Sequence, residues 1–97
     1  RLWENTEYMR TELKTLGFET CGSQSPVIPL LIGSDAATFQ MAKRLQEEGV
    51  FVNPVMTPAV PPGHGLIRTS YMATHKREHL DQALGALAKV GRELEVI

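Results

Sequence analysis

Leu66-Ile67-Arg68-Thr69-Ser70-Tyr71-Met72 is the stretch on which the fold turns. Successive side chains of an extended strand point to opposite faces, so Leu66, Arg68, Ser70 and Met72 share one side and Ile67, Thr69 and Tyr71 the other. The alternation predicts a strand with a guanidinium in the middle of one row. A permanent charge is costly to bury unpaired, so Arg68 requires an anion or a wet cleft. A carboxylate of the same domain, exposure at a strand edge, or a bidentate clamp on a bound carboxylate would each meet that requirement.

Working outward, Thr57 to Gly65 is rich in proline and glycine and reads as a loop, with Gly63 and Gly65 making a sharp turn into the strand. Before it, Val50 to Val55 is β-branched and aromatic but interrupted by Asn53 and Pro54, which predicts a short strand breaking into a loop. Ser34 and Asp35 are natural N-caps for a helix to Glu48, with Thr38, Met41, Ala42 and Leu45 along one side and Gly49 at its end. Pro26 to Ile32 is a dense apolar run of strand length, and Pro29 assigns it to a sheet edge or a bulge. Leu2, Met9, Leu13 and Leu16 mark the apolar face of a first helix that Gly17 caps. Downstream, Lys76 to Glu95 carries Leu80, Leu84, Leu87 and Leu94 on one stripe, widened by Ala83 and Val90. The order α-β-α-β-β-α predicts an α+β fold, a small three-stranded, mainly antiparallel sheet packed against helices.

Composition narrows the function. The 97 residues suit one domain, 1–97, and the formal net charge of −1 comes with basic residues scattered rather than gathered into a stripe for nucleic acid. No apolar run approaches the roughly 20 residues that span a bilayer. The single Cys21 fits a reducing cytoplasm, and a start at Arg1 reads as that of a piece cut from a longer protein. His64 sits in a loop, and His75 and His79, four apart, lack a further metal ligand, so they read as solvated side chains and no metal site is expected. No nucleophile elbow or phosphate-cradling glycine loop is present.

The longer phrase Val60-Pro61-Pro62-Gly63-His64-Gly65-Leu66-Ile67-Arg68-Thr69-Ser70, followed by Ala73-Thr74-His75 and an amphipathic helix, resembles the C-terminal segment of the α-oxoamine synthases. Pro26-Val27-Ile28-Pro29 and Leu45 to Val52 resemble two earlier elements of that family. The wording is nearest to glycine C-acetyltransferases, also called 2-amino-3-ketobutyrate CoA ligases, through Ile67-Arg68-Thr69 and the closing Lys89-Val90-Gly91-Arg92-Glu93-Leu94. The 8-amino-7-oxononanoate synthases and serine palmitoyltransferases share most of these elements.

The resemblance implies a homodimeric, pyridoxal 5'-phosphate-dependent acyltransferase, related to class I and II aminotransferases, that condenses acyl-CoA with glycine or a similar amino acid. It carries Arg68 over as the binder of the substrate carboxylate. It carries over no catalytic or cofactor-binding residue, because none of Lys14, Lys43, Lys76 and Lys89 lies in the small-residue context of the family's cofactor lysine. The cofactor would sit on a large domain outside this stretch, which alone is expected to be inactive. Lys76 stands where the family has threonine, so Thr74 or His75 is expected to begin the last helix. If the first helix packs on that large domain, an apolar patch should be exposed here. The competing readings are the small domain of a class I/II aminotransferase and a free-standing α+β ligand-binding or regulatory module.

Overall fold

The computed structural model describes residues 2–22, 27–70 and 76–97, the side chains of Leu2 and Ser70 excepted. Its elements are α1 (Leu2–Leu16), β1 (Val27–Gly33), α2 (Asp35–Glu47), β2 (Asn53–Val55), β3 (Gly65–Ser70) and α3 (Arg77–Glu93). The strand order is β1-β3-β2, and β3 runs antiparallel to both neighbours. The α+β architecture expected from the sequence is the one observed.

Each boundary follows from local chemistry. Gly17 ends α1 at a φ of 111°, and the amides of Gly17 and Phe18 bond Lys14 O at 3.0 Å and Leu13 O at 3.1 Å. The Ser34 hydroxyl accepts from the Ala37 amide at 3.1 Å and so caps α2. Pro29 and Pro54 both lie on edge strands, where a missing amide donor is tolerated. The Val50 to Val55 expectation needs correction: Val50 to Val52 are outside the strand, and the residues read as its interruption, Asn53 and Pro54, are the strand. The last helix also starts later than expected, at Arg77 with Lys76 as N-cap, whose amide donates to His79 Nδ1 at 3.2 Å. Thr74 and His75, like Tyr71 and Met72, lie outside the described residues.

One apolar cluster joins all the layers: Met9 and Leu13 from α1, Met41 and Leu45 from α2, Leu80, Leu87 and Val90 from α3, and Ile28, Leu30 and Ile67 from the sheet. The three helices therefore cover one face of the sheet. The first helix turns Met9 and Leu13 into this core, although Trp3 stays 58% exposed. Phe18 completes the packing against Gly91, where an added Cβ would meet its ring at 2.8 Å.

Two contacts fix α2. Its first turn lies so close to β3 that a Cβ on Gly65 would sit 2.2 Å from Thr38 Oγ1 and 2.9 Å from Gly33 O. At its other end Arg44 forms a bidentate pair with Glu93 of α3, at 2.6 and 2.9 Å, and bonds Glu47 at 2.8 Å. Lys89 of α3 reaches Glu48 at 2.9 Å.

Gly65→Ala is expected to cost about 1–3 kcal/mol in urea unfolding, because one obstructing atom is backbone and cannot rotate away. Hydrogen bonding from Arg44 holds the Glu93 carboxyl below its ordinary value of 4.5. The pair's stabilisation is thus complete above that value and is lost as pH falls through the lower, folded-state pKa. Unfolding midpoints measured from pH 6 to pH 2 should show Glu93→Gln less stable at the upper end, with its deficit shrinking as the medium becomes acid.

Candidate functional site

The central strand divides its side chains between two environments. Ile67 and Thr69 are buried beneath the helices, and the Thr69 hydroxyl donates to Ile28 O at 2.9 Å. Leu66 and Arg68 point the other way, and Arg68 is exposed. The face expected for Arg68 from the alternation is the face it occupies.

Register sets its neighbours. Arg68 lies between Pro29 of β1 and Asn53 of β2, and the next row is Leu31, Leu66 and Val55. Pro29, Leu31, Leu66 and Val55 are partly buried, while Val27, at the far end of β1, is 37% exposed. Arg68 and Asn53 are thus the two polar side chains of this face among the described residues. The large apolar side chains exposed among the described residues are spread over Trp3 on α1, Val27 on this face, Phe39 on α2 and Phe51. No described helix covers this side of the sheet.

The Arg68 guanidinium makes no hydrogen bond or ion pair with another described residue. Arg44 on α2 behaves differently and is committed to three carboxylates. Of the three carriers first considered for the Arg68 charge, an internal salt bridge is therefore not formed among the described residues. Five N–H donors in a planar fork remain available on an apolar surface, an arrangement suited to a carboxylate.

The loop leading to Arg68 is held from α2. Asp35 accepts from the Thr57 amide at 3.1 Å and from its hydroxyl at 3.3 Å, and the His64 amide bonds Pro61 O at 3.1 Å. His64 and His79 are exposed, His79 serving as the cap acceptor already noted, and no metal-ligating group of three or more acidic, histidine or cysteine side chains occurs among the described residues. No helix among them is long and apolar enough to cross a membrane. An open groove of about 870 Å³ between the 48–52 segment and α3, edged by Phe51, His79, Gln82 and Lys89, lies on the helical side, away from Arg68. In the sequence Asn53 reads only as a strand breaker; its place opposite Arg68 depends on a pairing that the sequence does not spell out.

Residues 1–87 match the family model described as aminotransferase class I and II. A serine palmitoyltransferase of Bacteriovorax stolpii is 50% identical over 98% of this chain and 23% of its own length. An 8-amino-7-oxononanoate synthase of Symbiobacterium thermophilum is 47% identical over all of this chain and 25% of its own, and a Thermus thermophilus protein named for both that activity and 2-amino-3-ketobutyrate coenzyme A ligase is 46% identical. Among solved structures, the serine palmitoyltransferase of Sphingomonas wittichii superposes with a TM-score of 0.93 at 32% identity, covering 99% of this chain and 25% of that one. A structure described as SPT with PLP superposes at 0.92 with 29% identity over 99% of this chain and 25% of that one. The chain thus spans about a quarter of the length of the curated relatives it matches.

An arginine without a hydrogen bond or ion pair to the described residues should be replaceable at little structural cost. Arg68→Ala is expected to change the unfolding free energy of the 97-residue chain by less than about 0.5 kcal/mol. A loss above about 1 kcal/mol would reveal an internal partner for the guanidinium.

Proposed function

Since this chain belongs to the aminotransferase class I and II family, and within it to the α-oxoamine synthases, we propose that the protein of which it forms part condenses acyl-CoA with glycine or a similar small amino acid. In this reading Arg68 holds the carboxylate of the amino acid. The observation that carries it is the exposed guanidinium, unpaired among the described residues, on the central strand of an otherwise largely apolar face. Its planar fork meets both carboxylate oxygens at once, and fixing the carboxylate restricts how the α-carbon is presented to the reacting groups.

The family's cofactor is pyridoxal phosphate, which when bound draws electrons away from the amino acid's α-carbon. This reading places the cofactor's covalent attachment site outside this chain, and the positions of the lysines support it: Lys14, Lys43 and Lys89 lie on the helices and Lys76 at the start of α3. The reading therefore assigns cofactor binding to the rest of the protein, taken as a cytoplasmic homodimer, and assigns no activity to residues 1–97 alone. Binding, orientation and charge neutralisation of the carboxylate are what Arg68 contributes.

The match to a model named for aminotransferases keeps a second reading alive, in which the same arginine serves transfer of an amino group. Release of free CoA thiol from acetyl-CoA or palmitoyl-CoA with glycine or L-serine would separate the two, because amino-group transfer releases none.

For the carboxylate role itself, Arg68→Ala in the full-length protein should weaken amino-acid binding by about 30-fold or more, the usual cost of leaving a desolvated charge without its partner. Arg68→Lys should recover part of it, since a point charge replaces a two-pronged contact. Unchanged affinity and turnover in Arg68→Ala would refute the assignment.

A further inference from the structure

Resting on that reading of Arg68, we propose that Asn53 is a second donor of the same site and that its side-chain amide binds the substrate carboxylate alongside the guanidinium. β2 pairs with β3 so that Asn53 stands directly opposite Arg68. Directly opposed residues of antiparallel strands project to the same face, with Cβ atoms about 4.5–5.5 Å apart. Both side chains are exposed, and neither donates to another described residue.

The surroundings give Asn53 no other employment. Asparagine is among the residues depleted in strands, where it neither packs well nor branches at Cβ. Its common local uses are caps and turns, yet here it opens a strand and makes no capping contact. On the far side of Arg68 the opposed residue is Pro29, which has no amide donor and no polar side chain. The next row, Leu31, Leu66 and Val55, is apolar. Polar capacity is therefore concentrated on one flank of the guanidinium, at Asn53.

A carboxylate presents about four lone-pair positions, and an arginine fork engages two of them. Once the anion is covered and water leaves, the remaining positions need donors or incur a desolvation cost. The two N–H groups of the Asn53 amide supply such a donor without adding a second positive charge. Asn53 would thus sharpen discrimination between an amino acid and the corresponding amine that lacks the carboxylate.

The test uses the full-length protein loaded with its cofactor and calorimetric titration with glycine and L-serine, each compared with its carboxylate-free counterpart, methylamine or ethanolamine. Asn53→Ala should raise the Kd for glycine or L-serine about tenfold or more, as expected for a lost hydrogen bond to a charged group, and leave the amines unchanged. Asn53→Asp should be worse than Asn53→Ala, because a second carboxylate repels the first. Unchanged amino-acid binding in Asn53→Ala, with binding lost in Arg68→Ala, would overturn the role of Asn53 and leave that of Arg68 standing. Equal weakening of amino acid and amine would also overturn it, since that pattern marks a structural effect. If Arg68→Ala too binds normally, both assignments fail. Should Asn53→Ala lower the unfolding midpoint, Asn53→Leu, close in size but without an N–H donor or a charge, decides: selective loss of glycine and L-serine supports the role, and normal binding overturns it.

Discussion

The central place of β3 in the sheet governs the rest of the molecule. Hydrogen-bonded on both edges, it cannot slide without breaking two ladders at once, and a slip of one residue would exchange its two faces. Such a slip would move Arg68 under the helices and bring Ile67 and Thr69 to the surface. Burial of Ile67 within the common core opposes that exchange, and so does the buried hydroxyl bond from Thr69 to Ile28 O. Gly65 adds a steric lock, since no other residue of the strand could occupy the space beneath Thr38. The placement of one charge on the open face is thus enforced by what lies on the closed face.

The helical layer keeps the sheet one-sided. The Arg44 and Lys89 ion pairs tie α2 to α3 on the solvent side, whereas the apolar contacts of Met41, Leu45, Leu80, Leu87 and Val90 do so inside. Exposed pairs add little by themselves, but the two-pronged contact to Glu93, with Glu47 beside it, links the ends of the two helices. Stability is thereby concentrated on the side away from Arg68, and the other side of the sheet is left without a described helix over it.

Much of this was legible in the sequence because it is written in short-range patterns. Period-two alternation from Leu66 to Thr69 gave the facing of Arg68, and Ser34 before an apolar stripe gave the start of α2. Pro29 gave an edge strand or a bulge, because a residue without an amide donor is excluded from the regular middle of a sheet. What stayed hidden depends on distant partners. Asn53 and Pro54 look like interruptions until β2 is known to be an edge strand paired with β3 across a nine-residue connection, 56–64. Gly91 looks like a helix weakness until Phe18 is found against it. The Arg44–Glu93 pair joins residues 49 positions apart, and no local spacing announces it. The alternation alone left the kind of anion open, and the proposal of a carboxylate comes from the family phrase around Arg68.

The loop before β3 is anchored at its entrance by Asp35 and at its exit by Gly65, while Pro61, Pro62, Gly63 and His64 between them are exposed. Those fixed ends insulate the strand from the tip. Residues can be gained, lost or exchanged at the tip over generations without disturbing the pairing of Arg68, because the strand takes its register from beyond the loop. The fold therefore offers a place where related proteins can diverge in length and wording while the position of the arginine is inherited intact.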